Sequence, residues 1–302
     1  MAHQKSIKAE LTHQLKVQGK NNPTYRSQVG NFCKWLIEKG EKKATMEQAK
    51  DRLQEYLDGL RATHSPDSIH TACAAVCASL NTPMSEYKIP QRGMPTRGRD
   101  VSDRVVNEVN ERVVEFAKMV GIREKEYSRL RGDNLVERNG NMYVVVERGK
   151  GGKYQEQYIQ ERYREEVRSY FNGTREPVFT PREIRACEHA NLHSYRRENA
   201  QEAYKEFLKM DREHVKELVR DQFLREHERR IETYGHDKFE LDKKLEKLEK
   251  QYDRPYYCRK EYREELEKAG KPVKYDRLAL IATSCLCLSH WRVNVCVKNY
   301  MR

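Results

Sequence analysis

The chain has no apolar run approaching the roughly 18 residues of a membrane span, and its first residues, Met1-Ala2-His3-Gln4-Lys5, lack the apolar stretch of a secretory leader. A soluble, cytoplasmic protein with no membrane partner is therefore expected. Apolar residues are scarce too, 37% against 35% charged over 302 residues. That length holds two modest domains, so each core must be compact and much of the chain must be solvated helix surface. Eight cysteines, at positions 33, 73, 77, 187, 258, 285, 287 and 296, follow no framework spacing. Most sit in apolar helical stretches such as Ala72-Cys73-Ala74-Ala75-Val76-Cys77. Buried free thiols are expected, not disulfides or a zinc site. Cys285-Leu286-Cys287 has neither metal spacing nor a second pair.

Positive charge is abundant. A net charge of +12 points to a polyanionic partner. Residues 1–100 carry sixteen Lys/Arg against ten Asp/Glu, whereas residues 205–276 carry twenty against nineteen. The positive excess thus lies outside the most densely charged segment.

The first ninety residues read as four helices. Ile7 to Val17 is the first; Thr24 caps a second carrying Val29, Phe32, Trp35 and Leu36; Thr45, with Glu47, opens a third; Ser65-Pro66-Asp67-Ser68 starts a small-residue fourth that must pack closely. Residues 88–100, with two prolines, two glycines and four cations, read as a basic linker after a helical domain at 1–87. Arg92, Arg97 and Arg99 in it are candidate DNA contacts. In the domain at 101–302, a helix holds Val113 to Val120 and a second runs from Glu126 to Arg131. Met142 to Val146 and Tyr154 to Ile159 read as a hairpin around Gly149-Lys150-Gly151-Gly152. The fold class is mainly α with a small β-sheet (α+β). Residues 205–275 read as a charged helical insertion, broken at Gly235, with a short seam at Leu241, Leu245, Leu248 and Tyr252. Its near-zero net charge suits a solvated hairpin or protein-contact arm better than a DNA grip.

Certain residues form an ordered set for attacking a phosphodiester. Arginine binds two phosphate oxygens with a fork that never loses its charge, and Arg123 and Arg196 are the candidates. Tyr300 is the nucleophile. A phenol keeps its proton to about pH 10, so a base is needed, and His193 is assigned that role. Lys150, or Lys153 beside it, would protonate the departing 5′-oxygen. His290 would donate a hydrogen bond to the phosphate, and Glu126 would orient Arg123 or close the site from behind. Taken singly these residues mean little among 59 Lys/Arg and eighteen tyrosines; the weight lies in their order.

The set resembles the tyrosine recombinase (phage integrase) family. Gly121-Ile122-Arg123-Glu124-Lys125-Glu126-Tyr127 is similar to that family's first arginine box, Gly149 to Lys153 to its lysine hairpin, His193-Ser194-Tyr195-Arg196 to its His-x-x-Arg, Leu288-Ser289-His290 to its Leu-Gly-His, and Asn299-Tyr300 to its nucleophile. Thr24-Tyr25-Arg26 leading to Phe32-Cys33-Lys34-Trp35-Leu36 resembles its SAM-like core-binding domain. The resemblance implies a clamp on double-stranded DNA, a covalent 3′-phosphotyrosine with no metal, ATP or other cofactor, and a tetramer on synapsed DNA. A mobile element to be moved and a nucleoid location are expected with it, and whether an accessory directionality factor takes part is left open by the sequence. A type IB topoisomerase and an inactive DNA-binding scaffold of the same fold are the rivals. Three departures stand out. Ser289 replaces the usual Gly, which should tighten that turn. The long stretch between Arg196 and His290 must loop out. The chain ends at Arg302 without the docking tail of many relatives, so the charged hairpin is expected to take over protomer contact. Deleting about 210–270 would then leave cleavage intact and impair synapsis.

Overall fold

The structure, a computed structural model, describes residues 6–91, 105–234 and 239–301. Arg92, Arg97 and Arg99 of the basic strap, and the break expected at Gly235, lie outside them. The chain divides into two compact units, residues 1–95 and 96–302.

The first unit is four helices, α1 (Ile7–Val17), α2 (Pro23–Glu38), α3 (Met46–Leu60) and α4 (Pro66–Leu80). Their starts follow capping chemistry. Asn22, not Thr24, caps α2: its side chain accepts from the Tyr25 N–H at 2.9 Å and Pro23 fills the first turn. At α3 the capping box closes through Gln48, one residue beyond the acid the sequence suggested. Ser65 caps α4. That helix is buried through Ala72, Cys73, Ala75, Val76, Cys77 and Leu80 and packs against the other three. Its short side chains permit the close approach, and Phe32, Leu36, Leu53 and Leu57 fill the space left over. Burying each of these large side chains contributes roughly 1.5–3 kcal/mol.

In the second unit, α5 (Glu111–Met119) leads to α6 (Glu124–Tyr127), strands β1 (Leu135–Arg138), β2 (Asn141–Val146) and β3 (Gln155–Tyr158), then α7 (Arg164–Arg168), α8 (Pro181–Arg185) and α9 (Leu192–Phe207). There follow α10 (Arg212–Tyr234), α11 (Phe239–Glu249), β4 (Tyr256–Tyr257), α12 (Lys260–Lys268), β5 (Lys274–Tyr275), α13 (Arg277–Ala282), a π-helical turn over Thr283–Cys287, and α14 (Val293–Asn299). The expected hairpin is present, and β1 adds a third strand to an antiparallel sheet of order β1-β2-β3. The helix expected from Glu126 to Arg131 is instead the single turn α6. Beyond it the Asn134 side chain accepts from the Arg131 N–H at 2.9 Å, and Arg131 bridges to Pro177. All eight cysteines are free and buried. Burial pushes the Cys33 and Cys187 thiols up to about 11, which keeps them protonated and unreactive near neutral pH.

The insertion does not loop out. Val215, Leu218, Val219 and Tyr252 are buried in one cluster with Ala203 and Phe207 of α9 and Ala279, Ile281 and Cys285 near the site. Leu245 of the expected seam is buried as well, and Leu248 is partly so. Charge dominates the composition, but Val215, Leu218, Val219 and Phe223 of α10 recur at helical spacing and their side chains close the core. Removing 210–270 would strip that face, so the deletion would test folding rather than synapsis.

Candidate active site

The first arginine is fixed by a carboxylate and an amide. Arg123 immediately precedes α6, and its N–H donates to Glu126 Oε2 at 2.8 Å. Its guanidinium donates to Glu126 Oε1 at 2.8 Å and to Gln155 Oε1 at 2.7 Å. Gln155 in turn donates to Glu126 Oε1 at 2.9 Å. Glu126 is 2% exposed. Burial works to raise its carboxyl, but the hydrogen bonds from the Arg123 backbone and guanidinium and from Gln155 outweigh that and hold it below the usual range. A fully satisfied anion behind Arg123 restrains its fork.

The second arginine lies deeper. Arg196, on the first turns of α9, is 1% exposed. It donates to the carbonyls of Gly121 and Leu288, the latter at 2.8 Å, and its Nε donates to Tyr300 Oη at 3.4 Å. The Leu288 carbonyl also accepts from Arg123 Nη2 at 3.4 Å, so the two guanidiniums converge on one oxygen. No carboxylate among the described residues forms an ion pair with Arg196. A guanidinium kept dry without an anion costs several kcal/mol, and a bound phosphate would remove that cost.

Tyr300 is docked rather than frayed. It is 7% exposed, its N–H donates to Cys296 O at 2.9 Å, and its carbonyl accepts from Gln201 Nε2 at 2.8 Å. Its ring centroid is 5.5 Å from that of His193 and 6.4 Å from that of His290. The ring of His290 has a defined tautomer. Its Nδ1 accepts from the Arg292 N–H at 3.3 Å, which leaves the proton on Nε2, and Nε2 is buried with no hydrogen-bond partner among the described residues. Burial first, then the neighbouring Arg196, Arg292 and Arg123 cations, push this imidazole down to about 4. It is thus neutral near pH 7 with an unused N–H donor, as the expected phosphate contact requires. Because the folded value lies below the unfolded 6.5, this group's contribution to stability is fully present above about pH 6.5 and lost as pH falls toward 4. His290→Gln is expected to flatten that part of the pH–melting curve, by at most about 3 kcal/mol; an unchanged curve would contradict it.

The π-helical turn and Ser289 aim His290. Ser289 sits at φ 51°, in the left-handed region that favours glycine. The turn is therefore the one a glycine would make, held here by the Ser289 hydroxyl donating to Gln157 Oε1 at 3.0 Å, and it is not tightened. Gln157 also donates to the Cys287 carbonyl.

Lys150 and Lys153 are exposed on the turn between β2 and β3, and neither forms an ion pair among the described residues. The Lys150 backbone N–H donates to Glu126 Oε1 at 3.3 Å, so the hairpin is tied to the Arg123 network. Gly149 makes this possible, since a Cβ there would overlap the Gln155 amide. Gly149→Ala is expected to displace Gln155 from Arg123 and Glu126 and to cost about 1–3 kcal/mol, read as a lower thermal midpoint.

The structure therefore brings Arg123, Glu126, Arg196, His193, His290 and Tyr300 together, with Lys150 tied to them through its backbone. Sequence reasoning missed Gln155, Gln157 and Gln201. The available signal was Gln155-Glu156-Gln157, a polar run inside a β-rich segment, where buried side chains must find partners. No protein-family model and no curated protein matches the chain. Among solved structures it is similar to the XerH site-specific recombinase bound to palindromic difH substrate in a post-cleavage complex, at 14% identity and TM-score 0.41 over 84% of this chain and 79% of that one. It is also similar to the XerA recombinase, at 15% identity and TM-score 0.21 over 68% and 86% of the two chains. Likenesses of this size carry no functional argument.

Proposed function

We propose that this protein is a DNA strand transferase of the tyrosine recombinase type, cleaving and rejoining duplex DNA through a 3′-phosphotyrosine. The observation that carries the reading is Arg196: buried, without a carboxylate partner among the described residues, and donating to the hydroxyl of Tyr300. Arg123 and Arg196 would bind the non-bridging oxygens of the scissile phosphate, and His290 Nε2 would donate a third hydrogen bond. The Tyr300 Oη–P bond forms as the P–O5′ bond breaks. The phenol proton passes to His193, and Lys150 protonates the 5′-oxygen. Rejoining is the reverse, with an incoming 5′-hydroxyl displacing Tyr300. Such chemistry gains mainly from positioned cations and a placed nucleophile. Tyr300 lies against Arg196 of its own chain, which supports donation in cis. Recombination between two duplexes would require a tetramer. Site-independent relaxation of supercoils would point to the topoisomerase alternative.

The test is denaturing-gel trapping on nicked duplex DNA. A protein–DNA adduct that protease removes is expected; its absence on nicked, bulk and cognate element DNA would leave a DNA-binding scaffold.

A further inference from the structure

The insertion helix α10 reaches both sides of the site. On one side, Glu226 Oε2 accepts from the indole N–H of Trp291 at 2.8 Å, and Phe223 packs edge-on against the same indole with centroids 5.4 Å apart. Trp291 is the residue after His290. On the other, the Arg229 guanidinium lies over the ring of Tyr154, 3.3 Å from its centroid. Tyr154 follows Lys153 on the lysine hairpin, and its hydroxyl donates to Glu156 at 2.8 Å. Gln222, itself buried, donates to Glu226 Oε1 at 3.2 Å and fixes the carboxylate from its own helix. Residues 222, 223, 226 and 229 recur at helical spacing, so one face of α10 makes all these contacts.

We propose that Glu226 is a positioning residue that, through Trp291, sets the His290 imidazole, with Arg229 holding the lysine hairpin from the same helix. Ser289 occupies a left-handed conformation that its side chain disfavours, and among the described residues the imidazole has one hydrogen-bond partner, the Arg292 backbone N–H. Gln157 holds this turn on the Ser289 side; on the other side of His290 the anchor is the Trp291 indole, held by a charge-assisted hydrogen bond. The insertion, on this view, is a brace coupling the histidine turn to the lysine hairpin. This rests on the strand-transfer reading for its effect on rate, but not for its effect on the ring.

The test compares the full chain with Glu226→Ala, Glu226→Gln, Trp291→Phe and Arg229→Ala. Two readouts are used: adduct formation on nicked duplex DNA, and the His290 imidazole resonances in chain labelled with 13C-histidine, assigned with His290→Gln. Glu226→Ala and Trp291→Phe should slow adduct formation about ten-fold at saturating DNA, leave the half-saturating DNA concentration unchanged, and shift the His290 resonances. Glu226→Gln keeps an acceptor for the indole and should recover most of the rate and the resonance position. Arg229→Ala should slow the rate without moving the His290 ring. Equal loss in Glu226→Ala and Glu226→Gln, or unshifted His290 resonances in Glu226→Ala, would overturn the proposal. If Glu226→Ala does not fold, Trp291→Phe decides by the same criteria. If the native chain forms no adduct, the strand-transfer reading fails, and the resonances alone decide whether Glu226 sets the ring.

Discussion

Tyr300→Phe is expected to remove the covalent DNA adduct completely while leaving DNA binding and folding nearly intact. The substitution deletes one oxygen. The ring that packs 5.5 Å from His193 remains, as do the backbone bonds from Tyr300 N–H to Cys296 and from Gln201 to the Tyr300 carbonyl. What is lost besides the nucleophile is the 3.4 Å contact from Arg196 Nε, worth at most about 1 kcal/mol at that length. The comparison is a denaturing gel with both proteins on the same nicked duplex, beside a thermal melt. An adduct that survives in Tyr300→Phe would move the nucleophile elsewhere and dismantle the site as described. A variant that melts far below the parent would instead show that the hydroxyl serves the fold.

Arg196→Met is expected to lose activity by a factor of about 10²–10³, equivalent to roughly 3–4 kcal/mol of transition-state stabilisation, with a much smaller change in stability. Two terms oppose one another in the fold. The Gly121 carbonyl loses its Arg196 donor and the Leu288 carbonyl keeps only the longer contact from Arg123, costing together about 1–3 kcal/mol. Against this, a guanidinium that is 1% exposed and has no carboxylate partner among the described residues no longer has to be kept out of water, which returns a similar amount. Near-cancellation in stability alongside a large loss of rate distinguishes a residue kept for chemistry from one kept for packing. Arg196→Lys should not restore the rate, since an ammonium cannot span both carbonyls and the phosphate. Rates at saturating DNA and melting curves on the same preparations measure the two quantities. Activity within ten-fold of the parent would remove Arg196 from the phosphate site.

The sequence carried much of this through local chemistry. The caps at Ser65 and Thr45, the glycine-rich turn at Gly149 and the apolar faces of α2 and α5 depend on residues only a few positions apart, so spacing alone revealed them. The candidate catalytic residues were legible for a different reason: their order along the chain is distinctive even though each type is common. The Glu126 role was legible because it lies three residues from Arg123, within reach on one helical turn.

Long-range contacts account for the rest. Nothing local says that Gln155 joins Arg123 to Glu126, that Gln157 anchors the turn before His290, or that Arg196 reaches the Tyr300 hydroxyl, because these partners are tens to more than a hundred residues apart. The insertion was misjudged on the same account. Its charge is spread so evenly that composition suggests a solvated arm, yet Val215, Leu218 and Val219 are buried in the core. Sequence by itself determined the helical character, the small sheet and the candidate catalytic residues, all of which follow from local preference and residue identity. Tertiary structure alone decided which carbonyls and amides aim those residues and that Glu226 and Arg229 reach the site, since a buried polar group is positioned by whichever partner the fold brings within about 3 Å.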